Sequence, residues 1–243
     1  MSQGSPLLLL HPLGSDRSFW DDTVIALDGI DTVALDLPGH GTAAPLPEGS
    51  GISDFVEAVV GAIEVSGRER FHVAGMSLGG LVAQELAARH SDLVDRLVLI
   101  DTVATYPEPM RAMWRERADI ARRNGLAELA DPMEVMWFSE RFRVDNEHIV
   151  KKSRELFLAM DPEGYARACC ALESTDTTAC VADIQAPTLL VCGSEDLPPF
   201  REAAIWLNEQ ITGSELTWLK GAKHAAVLEQ SAGFAAALRT FLR

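Results

Sequence analysis

Apolar residues along this chain follow two alternating rhythms. Short continuous runs rich in Leu, Val and Ile fall at residues 7–10, 32–37, 71–74, 97–100, 188–192 and 216–219, the pattern of strands buried on both faces. Between them, apolar residues recur at helical spacing: Phe55, Val59 and Ile63 within 52–65, then Val82 and Leu86 within 78–90. This alternation predicts an α/β fold, a mostly parallel central sheet with helices on both faces. From 102 to 186 the rhythm changes. No strand pattern occurs there, and helices are predicted over 110–123, 126–138, 146–159 and 165–172. Asp131-Pro132 and Asp161-Pro162 read as helix starts with proline at the first helical position. The predicted organisation is a core, 1–101 and 187–243, interrupted by an all-helical cap, 102–186. Ligands of open α/β sheets bind beyond the carboxyl ends of the strands, where such an insertion would form a lid. No repeat or low-complexity tract is seen.

Composition narrows the class. With 243 residues, 47% hydrophobic and 23% charged, the chain can bury one large core. Its formal net charge of −15 argues against nucleic acid or an anionic membrane as partner, since both need a basic footprint. The acidity is uneven. Residues 102–186 hold 11 of the 21 Lys and Arg but 15 of the 36 Asp and Glu, leaving the helical insertion locally richer in arginine. Cys169, Cys170, Cys180 and Cys192 make no metal-ligand or disulfide pattern. The start, Met1-Ser2-Gln3-Gly4-Ser5-Pro6, has no basic region, the 7–10 run is too short for a signal sequence, and no stretch is long enough to span a membrane. The expectation is a soluble, reduced, cytoplasmic protein.

The sharpest chemical signal is Gly75-Met76-Ser77-Leu78-Gly79-Gly80, between the 71–74 strand and the 78–90 helix. A G-x-S-x-G pentapeptide alone is short enough to arise by chance, but a strand–turn–helix setting is what a nucleophile elbow requires. The turn is tight, so side chains two residues before and after Ser77 would collide with it. The following helix aims its N–H groups and dipole at a developing oxyanion. A serine hydroxyl needs a base and the base an orienting carboxylate. His224, after the 216–219 strand, and Asp196, after the 188–192 strand, supply them in the chain order Ser, Asp, His. Asp101, after the 97–100 strand, is the competing acid. The expected oxyanion donors are the N–H of Leu78 and that of Leu13, in His11-Pro12-Leu13-Gly14 after the first strand. Leu35-Asp36-Leu37-Pro38-Gly39-His40-Gly41 lacks a phosphate-binding lysine and reads as a structural turn. Trp137, Trp114 and Met76 are candidate substrate-binding residues; no metal site is expected.

These segments together resemble the α/β-hydrolase superfamily over essentially the whole chain. Within it, Trp137-Phe138, Phe142, residues 159–166, Cys169-Cys170-Ala171-Leu172 and Asp176 are similar to the 3-oxoadipate enol-lactonases. That resemblance implies a cofactor-free hydrolase opening a small ester or lactone in aromatic degradation, with a lid arginine toward an anionic substrate. Arg111, Arg115, Arg141 and Arg143 are in range by sequence. Two departures stand out: the family's N-terminal β-hairpin has no room before residue 7, and no serine follows Gly41. The short start also resembles the pyruvate-eliminating synthase of menaquinone biosynthesis, but Leu81 stands where that enzyme would carry a basic residue. A general carboxylesterase and a lyase using the same triad remain the alternatives. A binding protein without activity would usually lack a triad member.

Overall fold

In the computed structural model, which describes residues 5–243, all six apolar runs are strands. In chain order the elements are β1 (Leu7–Leu10), α1 (Asp21–Ala26), β2 (Thr32–Leu35), α2 (Ile52–Ser66), β3 (Phe71–Met76), α3 (Leu78–Arg89) and β4 (Val94–Ile100). Five helices follow: α4 (Glu108–Asn124), α5 (Ala127–Trp137), α6 (Glu140–Asp145), α7 (Glu147–Ala159) and α8 (Pro162–Ser174). Then come β5 (Thr188–Gly193), α9 (Pro198–Gln210), β6 (Glu215–Leu219), α10 (Ala226–Glu229) and α11 (Ser231–Phe241). The strand order is β2-β1-β3-β4-β5-β6 and every pairing is parallel. The four leucines of β1 are fully buried, which explains a continuous apolar run instead of alternation. At the edge, β6 exposes Glu215 and Trp218.

The chain steps one way from β1 to β2 and the other way from β2 to β3 and onward. Right-handed crossovers therefore put α1 on one face and α2, α3 and α9 on the other. Consistently, α3 packs on β1, β3, β4 and α2, while α1 packs on α11. The reversal opens a crevice at the carboxyl ends of β1 and β3, the place where such sheets bind ligands.

Between β4 and β5 the described residues hold no strand, only an isolated bridge between Thr105 and Asp176. Arg111 fastens the two ends of this helical segment. Its guanidinium donates to the carbonyls of Tyr106, Glu173 and Thr175. Asp161 caps α8 as expected, its carboxylate accepting from the N–H groups of Glu163 and Gly164, with Pro162 first in the helix. Pro132 departs from the expected helix start: it is the sixth residue of α5. An interior proline costs about 3 kcal/mol. Here the helix begins earlier because Leu129, Ala130, Met133 and Trp137 form one buried stripe that spans the proline.

No helix of the described residues is long and apolar enough to cross a membrane. All four cysteines are free, and burial pushes the Cys169 thiol up to about 12. Residues 1–4 of the N-terminal segment read from the sequence lie outside the described residues.

Candidate active site

Ser77 follows β3 with φ 52° and ψ −111°, a conformation side chains rarely adopt. Two neighbours hold it there. The Ser77 N–H donates to the Ile100 carbonyl at 2.9 Å, and the Thr102 hydroxyl donates to the Ser77 carbonyl at 2.9 Å. The flanking glycines are required by close approach. A Cβ on Gly75 would lie 2.1 Å from the Gly79 carbonyl oxygen, and one on Gly79 would lie 2.3 Å from that of Leu10. The same contact presses the start of α3 against the end of β1, beside the loop that carries Leu13.

Asp196 and His224 come from the ends of β5 and β6. The Ser194 and Glu195 N–H groups donate to the carbonyls of Leu219 and Ala222, tying the two loops together. His224 Nδ1 lies 2.9 Å from Asp196 Oδ2, and its Nε2 lies 3.1 Å from Ser77 Oγ. The other Asp196 oxygen accepts the Leu197 N–H at 2.6 Å. All three residues are buried, at 5%, 3% and 2% exposure for Ser77, Asp196 and His224. The Phe200 ring packs on the His224 ring with centroids 4.3 Å apart. The His224 loop is also joined to the helical segment, since the Ala225 N–H donates to the Trp137 carbonyl at 2.9 Å. Such a hydroxyl, imidazole and carboxylate chain can activate the serine as a nucleophile.

The loop after β1 is fixed by histidine chemistry. The Leu37 N–H donates to His11 Nε2 at 2.9 Å, and His11 Nδ1 lies 2.9 Å from the Pro12 carbonyl. The first bond makes Nε2 the acceptor, so Nδ1 carries the proton. The His40 ring stands 4.9 Å from that of His11. Burial lowers His11 to about 4 and His40 to about 3, so both are neutral. The 35–41 segment is thus a structural turn that braces the Leu13 loop. Its Asp36 carboxylate accepts from Thr42 and from the Arg17 N–H, bonds that hold it below its usual range. Among the described residues, neither the Leu13 nor the Leu78 N–H donates to another protein group.

A small cavity lies over Ser77 and His224, lined by Pro12, Leu13, Trp114, Arg117, Met133, Met136, Trp137, Phe157 and Tyr165. Much of it is narrow, with room for about one water. Larger grooves lie elsewhere and include none of Ser77, Asp196 and His224; the small cavity is the one into which Ser77 and His224 face. Trp114 and Trp137, candidate substrate-binding residues, line it. Met76 does not: it ends β3, fully buried, and is absent from the wall.

None of the four arginines in range by sequence is in the cavity wall. Arg111 fastens the helical segment, Arg115 pairs with Glu108 and Glu173, Arg141 pairs with Asp145, and Arg143 is absent from the wall. The arginine in the wall is Arg117, 8% exposed. Its guanidinium lies 5.4 Å from the Trp114 ring centroid and 3.5 Å from the Tyr165 hydroxyl, with no ion-pair partner among the described residues. The Trp114 indole N–H is buried and unpartnered as well. The sequence carries a signal for Arg117 that a count of nearby arginines overlooks. Trp114, Arg117, Ala118 and Ala121 share the buried face of α4 at helical spacing.

A sequence model described as the alpha/beta hydrolase family matches residues 7–237. The chain is 29% identical over 192 residues to 3-oxoadipate enol-lactonase 1 of Acinetobacter baylyi, covering 78% of this chain and 71% of the relative. It is 31% identical over 242 residues to a pimeloyl-acyl-carrier-protein methyl ester esterase of Neisseria meningitidis, covering 96% and 92%. The crystal structure of the enol-lactonase from Burkholderia xenovorans LB400 superposes with a TM-score of 0.93 at 30% identity, covering 98% of this chain and 92% of that one.

Proposed function

The chain belongs to the alpha/beta hydrolase family, and we propose that it cleaves a small carboxylic ester or lactone with Ser77 as nucleophile, His224 as base and Asp196 as the acid that orients it. The observation that carries this reading is the unbroken buried chain from Ser77 Oγ through His224 to Asp196, at 3.1 and 2.9 Å. His224 takes the hydroxyl proton as Oγ attacks the carbonyl carbon, and the Leu13 and Leu78 N–H groups receive the oxyanion. His224 then gives the proton to the leaving oxygen, whose bond to the acyl carbon breaks. Water attacks the acyl-enzyme by the same route and frees the acid.

The finer reading is an enol-lactonase-like activity on a substrate that carries a carboxylate. Arg117 supports it. A buried cation without an anionic partner is costly in an otherwise apolar wall, and a substrate carboxylate would supply that partner. Residues 102–186 act, on this reading, as a cap on the remaining core. Phe157 and Trp137 line the cavity from that side.

A turnover comparison tests both levels. Wild type and Arg117→Gln are assayed on a carboxylate-bearing enol-lactone and on neutral p-nitrophenyl acetate. Wild type should prefer the lactone, and the variant should raise KM for it at least about 10-fold while the neutral ester changes little. Equal losses on both substrates remove the carboxylate reading. Absence of hydrolysis of either ester or lactone by wild type removes the whole assignment.

A further inference from the structure

Among the described residues two non-glycine backbones take positive φ, Ser77 at 52° and Asp101 at 42°. They follow neighbouring strands in matched register, with Met76 opposite Ile100. The first carries the nucleophile. The second carries a carboxyl, 1% exposed, that the route above leaves unused.

Asp101 is tied to the strand that leads to Asp196. Its N–H donates to the Val191 carbonyl at 3.0 Å, and its Oδ1 accepts the Gly193 N–H at 2.8 Å. Its Oδ2 is buried without a hydrogen-bond partner, although the Ala226 N–H faces the carboxyl. One oxygen of Asp101, one of Asp196 and the Cys192 sulfur lie within 4.8 Å of one another. Two carboxylates this close and this dry do not both ionise. Asp196 has the better claim to the charge, because it accepts from both His224 and Leu197. The proton therefore falls to Asp101, whose carboxyl is held far above its usual range by burial and by the Asp196 charge. The other titratable groups here are the Cys192 and Tyr106 hydrogens, both retained through burial, and the His224 ring; Arg201 on α9 is the nearby cation, acting on Cys192.

We propose that Asp101 is a positioning residue that works as a neutral carboxylic acid, clamping the end of β5 through Gly193 and offering a proton toward Asp196. The buried acid pair then carries one negative charge, kept on the oxygens that face His224 and Leu197. Asp101 touches no substrate and acts through Asp196, so its role rests on the triad reading. An ionised acid in its place would add a second charge near His224 and make the imidazole more basic.

The test compares wild type, Asp101→Ala and Asp101→Asn on a neutral aryl ester across pH, together with infrared spectra of the unliganded proteins. The wild-type minus Asn difference spectrum should show a protonated-carboxyl band at neutral pH. Alanine should lower kcat at least about 10-fold with KM little changed, and asparagine, which keeps an acceptor for Gly193 and a donor beside it, should restore it to within about 3-fold. The acid limb of kcat/KM, which reports His224, should stay in place in the Asn variant. A limb shifted down by about one pH unit, as loss of a real negative charge would cause, overturns the proposal. So does a missing infrared band, or wild-type kcat in a folded Ala variant. If Asp101→Ala does not fold, the Asn profile and the band decide. If the triad reading itself is wrong, Ser77→Ala keeps its activity while the band still reports the Asp101 proton.

Discussion

Replacing Asp196 by asparagine isolates what the carboxylate does for His224. During attack the imidazole becomes a cation, and the nearest Asp196 oxygen lies 2.9 Å from Nδ1. The carboxylate and imidazole side chains are 0% and 2% exposed, so bulk-water screening does not apply. With the ring charge about 3–4 Å from the carboxylate and an effective dielectric near ~20, the attraction is about 4–6 kcal/mol. Losing it slows the chemical step by about 10³–10⁴-fold. Asparagine also lets the ring settle in the wrong tautomer, with its proton on the nitrogen that should accept from Ser77. The assay is steady-state hydrolysis of a neutral aryl ester by wild type and Asp196→Asn, with near-ultraviolet circular dichroism to verify packing. kcat should fall and KM should change little, because Asp196 lies behind the histidine. A well-folded Asp196→Asn protein within about 10-fold of wild-type kcat would refute the reasoning.

Two further outcomes follow from the same geometry. Ser77→Ala should lower turnover of any ester or lactone substrate by about 10⁴-fold or more without unfolding the protein, as measured by hydrolysis and thermal melting; near-wild-type rates would exclude Ser77 as nucleophile. Stability should fall on mild acidification, because His11 and His40 are lowered from 6.5 to about 4 and about 3. The unfolded chain takes up protons that the folded one refuses, so their contribution is fully present above pH 6.5 and is lost as pH drops toward 4. At pH ~5 the two together remove about 4 kcal/mol relative to neutral pH, and urea unfolding that is equally cooperative and equally stable at both pH values would contradict it.

The six strands and the juxtaposition of Ser77, His224 and Asp196 were legible in the sequence because each rests on local pattern. A strand buried on both faces must be apolar throughout, as the leucines of β1 are, and an elbow must place glycines where Gly75 and Gly79 meet backbone oxygens. Pro132 misled because its local signal, a helix start, yields to the buried stripe of α5, a property of tertiary packing. Arg117 was left out of the arginines in range for a related reason. Arg111 and Arg115 stand on the same helix as Arg117, and only its position on the buried face of α4 separates them. Met76, a candidate substrate-binding residue, is next to Ser77 in sequence, yet neighbouring residues at a strand end point to opposite sides of the sheet. The Asp101 and Asp196 pair carries no motif, because its closeness depends on β4 and β5 being neighbours.

The central claim is that Ser77 forms the covalent acyl-enzyme. The most direct measurement is peptide mapping by mass spectrometry after exposure of the native protein to a small fluorophosphonate, which traps an activated serine. One adduct per chain is expected, on the peptide that contains Ser77, with hydrolysis lost in proportion to labelling. An adduct on a different residue, or full inactivation with Ser77 unmodified, would contradict it.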